Sequence, residues 1–364
     1  MRNSNKPVML LAGGTGGHVF PALAVANYLS SKDVPIVWVG TKGGVEAKLV
    51  NHPNIEMEWL FVSGLRGKKF VSWIKAPIFL FIAALQSAFM LLKYRPCIVL
   101  GMGGFVSGPT GIIAALFGVP LFIHEQNTIP GLTNRILKIF SKKIFLGFPD
   151  SINSKKAVYT GNPLRQDICD IEEPPNRLSR DGAQLHLLVV GGSLGAKIFN
   201  EVVPHALSLI PEDQRPAVQH QAGKTLGVAQ ANYNQYGVQA NIIEFINDMS
   251  DAYVWADIVL CRAGALTVSE LTAAGVASIL VPYPYSVDNH QHHNASFLVR
   301  AEAAILMLEE NFYAKELAAK LQMFSTNKER ILTMSTNARN LFNTNAVFSI
   351  CESILEARRE AFEK

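Results

Sequence analysis

The chain has 364 residues, 49% of them apolar, and a net charge of +4; that is enough for two independent cores and too apolar for a disordered protein. Its four cysteines, Cys97, Cys169, Cys261 and Cys351, lie far apart with no C-x-x-C pair. This argues against a zinc knuckle or a disulfide framework and for a reducing, cytoplasmic protein, as does the absence of a signal-peptide pattern in residues 1–12.

The first strand-like run, 8–12, breaks into Gly13-Gly14-Thr15-Gly16-Gly17-His18 and then a helical pattern. Glycines let the backbone turn tightly and bring N–H groups against an anion, and the helix that follows offers its positive end, so the loop suits a phosphate. It fits neither the strict dinucleotide fingerprint nor a P-loop, and alone names no ligand. Strand-like runs at 35–39 and 55–62 follow. From 59 to 149 a single acidic residue, Glu125, faces ten lysines and arginines. Such a field attracts anionic surfaces; a solvated basic face and nucleic acid are the other readings.

The segment 70–92, FVSWIKAPIFLFIAALQSAFMLL, favours a membrane surface over nucleic acid. Its uninterrupted part, 76–92, is 17 residues long, short of the roughly 20 a span needs. Lys75 and Pro77 break its start, and a strand-and-glycine pattern resumes at 97–101, so a span would split the first domain. The expectation is a helix hairpin or long helix, partly buried and partly on an anionic bilayer. Trp73, Ile74, Phe79 and Phe81 would insert beside Lys68 and Lys69. A wholly buried helix stays open for 83–92.

Strands at 98–100, 119–123 and 143–148 complete a first series alternating with helices. A polar, proline-containing stretch reads as a linker, 161–184. A second series runs through 185–190, 217–220, 242–245, 258–261, 278–281 and 304–307, with mostly helix beyond 311. This repetition predicts α/β architecture: two Rossmann-like, doubly wound parallel-sheet domains with a cleft between them. The boundaries are 1–160 for a first, membrane-associating domain, 185–345 for a second, and 346–364 for a C-terminal helix that packs back on the first. The charge is uneven, with 17 basic and 6 acidic residues in 1–160 against 16 and 23 in 161–364.

A second glycine loop, Gly191-Gly192-Ser193-Leu194-Gly195-Ala196, follows the run 185–190 and again suits an anion. Cys261 to Glu270 reads as strand, turn at Gly264, and a helix from Ala265 whose first-turn amides face phosphate. Glu270, one turn on, could accept both hydroxyls of a ribose or simply favour the helix dipole. The cluster Asp288-Asn289-His290-Gln291-His292-His293-Asn294 lacks the i,i+4 histidine spacing of a helical zinc pair; its amides and imidazoles suit sugar hydroxyls better.

Taken together, GGTGGHVFPALAVA at 13–26, GMGGFVSGP at 101–109, HEQN at 124–127, GNPLR at 161–165, GGSLGA at 191–196, CRAGALTVSE at 261–270 and DNHQHHNA at 288–295 resemble the MurG family. These are peripheral bacterial glycosyltransferases that add GlcNAc to undecaprenyl-pyrophosphoryl-MurNAc-pentapeptide (lipid I) to make lipid II for peptidoglycan. The resemblance covers nearly the whole chain. It implies a GT-B fold, UDP-GlcNAc as sugar donor in the C-terminal domain, and lipid I in the N-terminal domain. It further implies an inverting β-1,4 transfer to C4, with no metal and no cofactor. The partners would be an anionic membrane surface and other cell-wall synthesis proteins, not nucleic acid, at the cytoplasmic face of the inner membrane.

For the donor, the match implies Ser193 at the phosphates and Arg165 close by. Phe245, Ile246 and Met249 would frame the uracil, and Arg262, Ala265, Leu266 and Thr267 the diphosphate and sugar. Glu270 would hold the ribose, and Gln291 with Asn294 read GlcNAc. Leu194 departs from the glutamine common in relatives. For the acceptor, the glycines of 13–17 and 101–104, including Gly16, Gly17, Gly103 and Gly104, would cradle the pyrophosphate with Thr15. His18, Glu125, Gln126, Asn127 and Asn134 would surround the sugar. His18 and Glu125 are the candidate bases, with His18 preferred because an imidazole titrates near neutrality and Glu125 orienting or replacing it. Three rivals stay open: an epimerase of the same shape, a lipid galactosyltransferase, and a non-catalytic membrane-surface binder.

Overall fold

The computed structural model describes residues 6–62, 70–179 and 184–363, and the side chains of all these except 70–76 and 362–363. It divides into two compact units, Met1–Arg165 with Asn343–Lys364, and Gln166–Phe342.

The first unit holds seven parallel strands. They are β1 (Val8–Leu11), β2 (Ile36–Gly40), β3 (Ile55–Trp59), β4 (Ile98–Gly101), β5 (Leu121–Glu125), β6 (Lys143–Leu146) and β7 (Ala157–Tyr159), in the order β3-β2-β1-β4-β5-β6-β7. β1, β2, β4 and β5 are buried along their whole length, because helices cover both faces of a parallel sheet; β1, β2 and β4 accordingly read as unbroken apolar runs, while β5 ends in the buried pair His124 and Glu125. On one face lie the helices Gly16–Ser30 and Ala346–Glu363, joining Val19, Ala22 and Val25 to Ile350, Cys351 and Ile354. On the other, the helices Phe70–Tyr94, Gly104–Leu116 and Leu132–Leu137 pack side by side.

The segment 70–92 forms most of a single helix, Phe70–Tyr94. Its stretch Pro77–Tyr94 is long and apolar enough to cross a membrane by length and composition, yet it belongs to the domain. Ala83, Ser87, Met90 and Leu91 are buried, and Ser87 Oγ meets Thr110 Oγ1 on the next helix at 2.9 Å. The outward stripe, Ile78, Phe81, Leu85, Phe89 and Leu92, is 56–67% exposed. Lys68 and Lys69 lie outside the described residues, as do the side chains of Trp73 and Ile74.

The second unit repeats the plan with six parallel strands. They are β8 (His186–Val190), β9 (Ala217–Gln221), β10 (Asn241–Ile243), β11 (Ile258–Cys261), β12 (Ala277–Leu280) and β13 (Ala304–Leu306), ordered β10-β9-β8-β11-β12-β13. In both sheets the order reverses beside the first strand, so the loops after β1 and β4, and after β8 and β11, open at topological switch points. Residues 166–179, read from sequence as linker, belong to this unit. Arg177 is 6% exposed and donates to the carbonyls of Ala256 (2.6 Å) and Gly275 (2.8 Å).

Each unit buries one histidine. His124, on β5, donates from Nε2 to the Gly161 carbonyl at 3.2 Å. Burial pushes its imidazole down to about 4, the Gly161 bond opposing this and the nearby His18 adding to it. His220, on β9, sits 3.1 Å from the Tyr233 hydroxyl and is likewise pushed down to about 4 by burial. Unfolded, both would protonate near 6.5. Between these values the unfolded state binds more protons, so stability is fully present above about pH 6.5 and is lost as pH falls, by up to roughly 3 kcal/mol per histidine. Thermal midpoints should therefore drop between about pH 6.5 and 5.5, above the carboxylate range. A flat profile there contradicts the buried neutral assignment.

Candidate active site

In the first unit, β1 ends in the loop that starts the helix Gly16–Ser30, and its neighbour β4 ends in the loop that starts Gly104–Leu116. Neither helix has a side-chain cap or an acidic residue in its first turn, so two helix amino ends offer amides and partial positive charge side by side. His18 lies in the first turn of the first helix. Gly103 and Gly104 have φ of +86° and +76°, and a Cβ on Gly103 would stand 2.9 Å from the His18 ring. The loop after β4 is thus shaped around this imidazole.

Gln126 fixes the ring's protonation. Its Nε2 donates to the Met102 carbonyl at 2.7 Å, so its Oε1, 3.2 Å from His18 Nδ1, must accept. His18 therefore carries its proton on Nδ1, which makes Nε2 the basic nitrogen of the neutral ring. Gln126 is 2% exposed and faces inward with both ends of its amide engaged.

Glu125, also 2% exposed, is the hub of the loop after β5. Oε1 accepts from the Asn127 backbone (2.9 Å) and side chain (3.3 Å), and Oε2 from the Gly131 backbone (3.0 Å) and Asn134 Nδ2 (2.9 Å). Four donors fill the acceptor capacity of a carboxylate. Asn134, buried as well, also donates to the His124 carbonyl at 3.0 Å. A second buried carboxylate, unrecognised in the sequence, holds the first glycine loop. Glu46 accepts the Gly14 N–H at 3.0 Å and both the backbone and hydroxyl of Thr41, at 2.7 and 2.9 Å. The Gly14 amide is thereby taken, and the His18 and Val19 amides close on the Thr15 carbonyl at 3.1 and 3.2 Å, so only part of the loop is left to an anion. Arg165 stacks on Phe20, its guanidinium 6.0 Å from the ring centre.

In the second unit, the loop after β8 leads into the helix Lys197–Ser208 and interlocks with the turn 222–225. Gly195 has φ of +81°, and a Cβ there would strike Thr225 Oγ1 and the Ala222 carbonyl. The Lys224 N–H donates to the Ser193 carbonyl at 3.3 Å, leaving Ser193 and Leu194 exposed at the tip. β11 leads through Gly264 into the helix Ala265–Ala274, whose first turn, Ala265, Leu266 and Thr267, again has no side-chain cap. Glu270 Oε2 accepts the Tyr253 hydroxyl at 3.0 Å. Phe245 and Ile246 follow β10; Phe245 is 56% exposed and Ile246 is buried. Met249 begins the helix Met249–Trp255.

Three expected sugar-donor contacts have structural engagements of their own. Arg262 forms an ion pair with Glu309 at 2.5 Å, donates to the Val281 carbonyl, and has its guanidinium 5.1 Å from the Phe199 ring centre and 5.4 Å from that of Tyr283. Gln291 Oε1 accepts the N–H groups of Tyr283 (2.9 Å) and Ala263 (3.3 Å), tying together the loops after β11 and β12 and leaving its NH₂ end as the donor. Asn294 is fully buried and donates to the Ala263 carbonyl at 3.3 Å. Among the described residues no three His, Cys, Asp or Glu side chains gather where they could hold a metal ion.

Two doubly wound domains, each with a glycine loop and uncapped helix amino ends at its switch point, are the architecture of the GT-B fold. The chain belongs to glycosyltransferase family 28: residues 8–146 match its N-terminal domain and residues 186–350 its C-terminal domain. It is 47% identical over 351 residues (96% of this chain, 98% of the relative) to a protein of Nitrosospira multiformis. It is 48% identical over 348 residues (95% and 97%) to one of Nitrosomonas europaea. Both are named UDP-N-acetylglucosamine--N-acetylmuramyl-(pentapeptide) pyrophosphoryl-undecaprenol N-acetylglucosamine transferase. Among solved structures it is similar to Acinetobacter baumannii MurG, with a TM-score of 0.83, 34% identity, and coverage of 96% of this chain and 99% of that one.

Proposed function

We propose that this glycosyltransferase moves GlcNAc from UDP-GlcNAc to the C4 hydroxyl of MurNAc in lipid I, forming lipid II with inversion at the anomeric carbon. N-acetylglucosaminyl transfer from UDP-GlcNAc follows from family membership at this identity and coverage. The observation that carries the mechanism is the His18 tautomer. With Nδ1–H given to Gln126, Nε2 can accept the acceptor's proton. As O4 attacks the anomeric carbon, that proton passes to Nε2, the bond from the anomeric carbon to the UDP oxygen breaks, and UDP leaves with the electron pair.

The charge developing on UDP is met by the amides of the 191–196 loop and the first turn of Ala265–Ala274, with Ser193 and Thr267 beside them. The lipid pyrophosphate lies at the amino ends of Gly16–Ser30 and Gly104–Leu116, at Thr15, Gly16, Gly17 and Gly104. Glu125, Gln126 and Asn134 act as positioning residues, because their polar atoms hold the site's own loops. Incubation with UDP-GlcNAc and a lipid I analogue should yield free UDP and a disaccharide, undiminished by EDTA. Conversion of UDP-GlcNAc to another sugar nucleotide without acceptor would favour the epimerase reading instead.

The same reading places the protein peripherally on the cytoplasmic face of the inner membrane. Beside the outward stripe of Phe70–Tyr94, the next two helices and their ends expose Leu116 (71%), Leu132 (70%) and Ile139 (67%), with Phe117 and Phe140 about half exposed. Exposed Arg135 and Lys138 flank this surface, so apolar insertion and attraction to anionic headgroups add. Phe79 and Phe81 are 37% and 64% exposed. Replacing both with serine should weaken salt-sensitive binding to anionic vesicles while sparing the melting temperature and turnover of a short-chain soluble acceptor. Unfolding of the double variant would return these side chains to the core.

A further inference from the structure

Tyr253 is fully buried, and its hydroxyl donates to Oε2 of Glu270 at 3.0 Å. The helix that carries it, Met249–Trp255, is fixed at both ends. Asp248 accepts the N–H groups of Ser250 (2.9 Å) and Asp251 (3.1 Å) at its start. At its far end Arg177 donates to the carbonyls of Tyr253 (3.5 Å) and Ala256 (2.6 Å). The other guanidinium nitrogen of Arg177 donates at 2.8 Å to Gly275, which ends the helix Ala265–Ala274 that carries Glu270. One buried arginine therefore clamps the carboxyl ends of both helices, and the Tyr253–Glu270 hydrogen bond joins them again further along. The carboxylate is half-buried, and the Tyr253 hydroxyl occupies one acceptor site on its Oε2.

We propose that Tyr253 is a positioning residue for the ribose of the nucleotide. By holding Oε2 it fixes the plane of the Glu270 carboxylate, so that a vicinal pair of hydroxyls is recognised and a 2′-deoxyribose is rejected. This rests on the reading that Glu270 takes the ribose. A free carboxylate rotates, and a rotated one reaches one hydroxyl at a time; orientation fixed in advance is what makes two simultaneous hydrogen bonds favourable.

The test compares UDP with dUDP as ligands of the full-length protein, measured by calorimetry or as competitors of UDP-GlcNAc, in the wild type, Glu270→Ala, Tyr253→Phe and the double variant. The UDP/dUDP ratio is internal to one preparation, so a partly inactive fraction cancels, and Tyr253→Phe keeps the buried ring. Tyr253→Phe should lower the ratio by about three- to tenfold, less than the loss of the charged hydrogen bonds themselves. Glu270→Ala should abolish the preference, and adding Tyr253→Phe to it should change nothing further. If Glu270→Ala leaves the ratio intact, the ribose reading fails and the proposal with it. If Glu270→Ala abolishes the preference but Tyr253→Phe does not alter it, or if the two effects simply add, the ribose reading stands and the positioning role of Tyr253 is overturned.

Discussion

Replacing His18 with alanine should reduce kcat by about 10²–10⁴-fold and flatten the acidic limb of its pH profile. The limb exists because the base must be neutral to accept a proton, so kcat falls as the imidazole protonates with decreasing pH. The reduction lies in kcat rather than KM because proton transfer belongs to the transition state, whereas a lost pyrophosphate contact would raise the acceptor KM. Glu125 supplies the contrast. Its two oxygens take four donors from Asn127, Gly131 and Asn134, so accepting a substrate proton would require giving up part of this set. Glu125→Ala should lower activity and melting temperature together by releasing the loop after β5, and should leave the acidic limb in place. If instead His18→Ala keeps the limb and raises only the acceptor KM while Glu125→Ala removes it, the two roles are exchanged. Gln126 gives an independent check. Gln126→Glu would draw a proton onto the His18 ring by placing a carboxylate at Nδ1, moving the limb to higher pH.

The strands and both phosphate-suited loops were legible because their signals are local: a short apolar run stopping at glycine needs no partner to be recognised. The doubly wound, parallel arrangement followed from the alternation of strands with helices, whereas the strand order came only with the structure. Long-range contacts left no such trace. β7 escaped notice because it is three residues long with two of them exposed, so no apolar run marks it. Arg177 falls in the polar, proline-containing stretch read as a linker, and only the fold reveals it beneath two helix ends. Glu46 stands in a stretch without periodicity; its role exists because Gly14 and Thr41 converge on it. Motif resemblance collects residues near a ligand without separating those that touch it from those that hold the loops. Gln126, Asn134 and Asn294 face inward for that reason, and Arg262 meets Glu309, 47 positions further along the chain.

Glu270→Ala should raise the KM for UDP-GlcNAc by about 10²-fold or more while leaving the acceptor KM nearly unchanged. Hydrogen bonds to a charged partner contribute about 1.5–3 kcal/mol each, and a vicinal diol makes two. The alanine variant also leaves the buried Tyr253 hydroxyl without the carboxylate that now accepts it, so some loss of stability accompanies the loss of affinity. UDP-GlcNAc at a concentration that saturates the wild type should offset that stability loss only weakly, because ligand stabilisation scales with the ratio of concentration to dissociation constant and the dissociation constant is what has risen. The acceptor is spared because Glu270 and the His18 site belong to different units. An unaltered donor KM in a folded Glu270→Ala protein would remove the ribose assignment and return Glu270 to a favourable charge near a helix amino end, an effect of only about 0.3–1 kcal/mol.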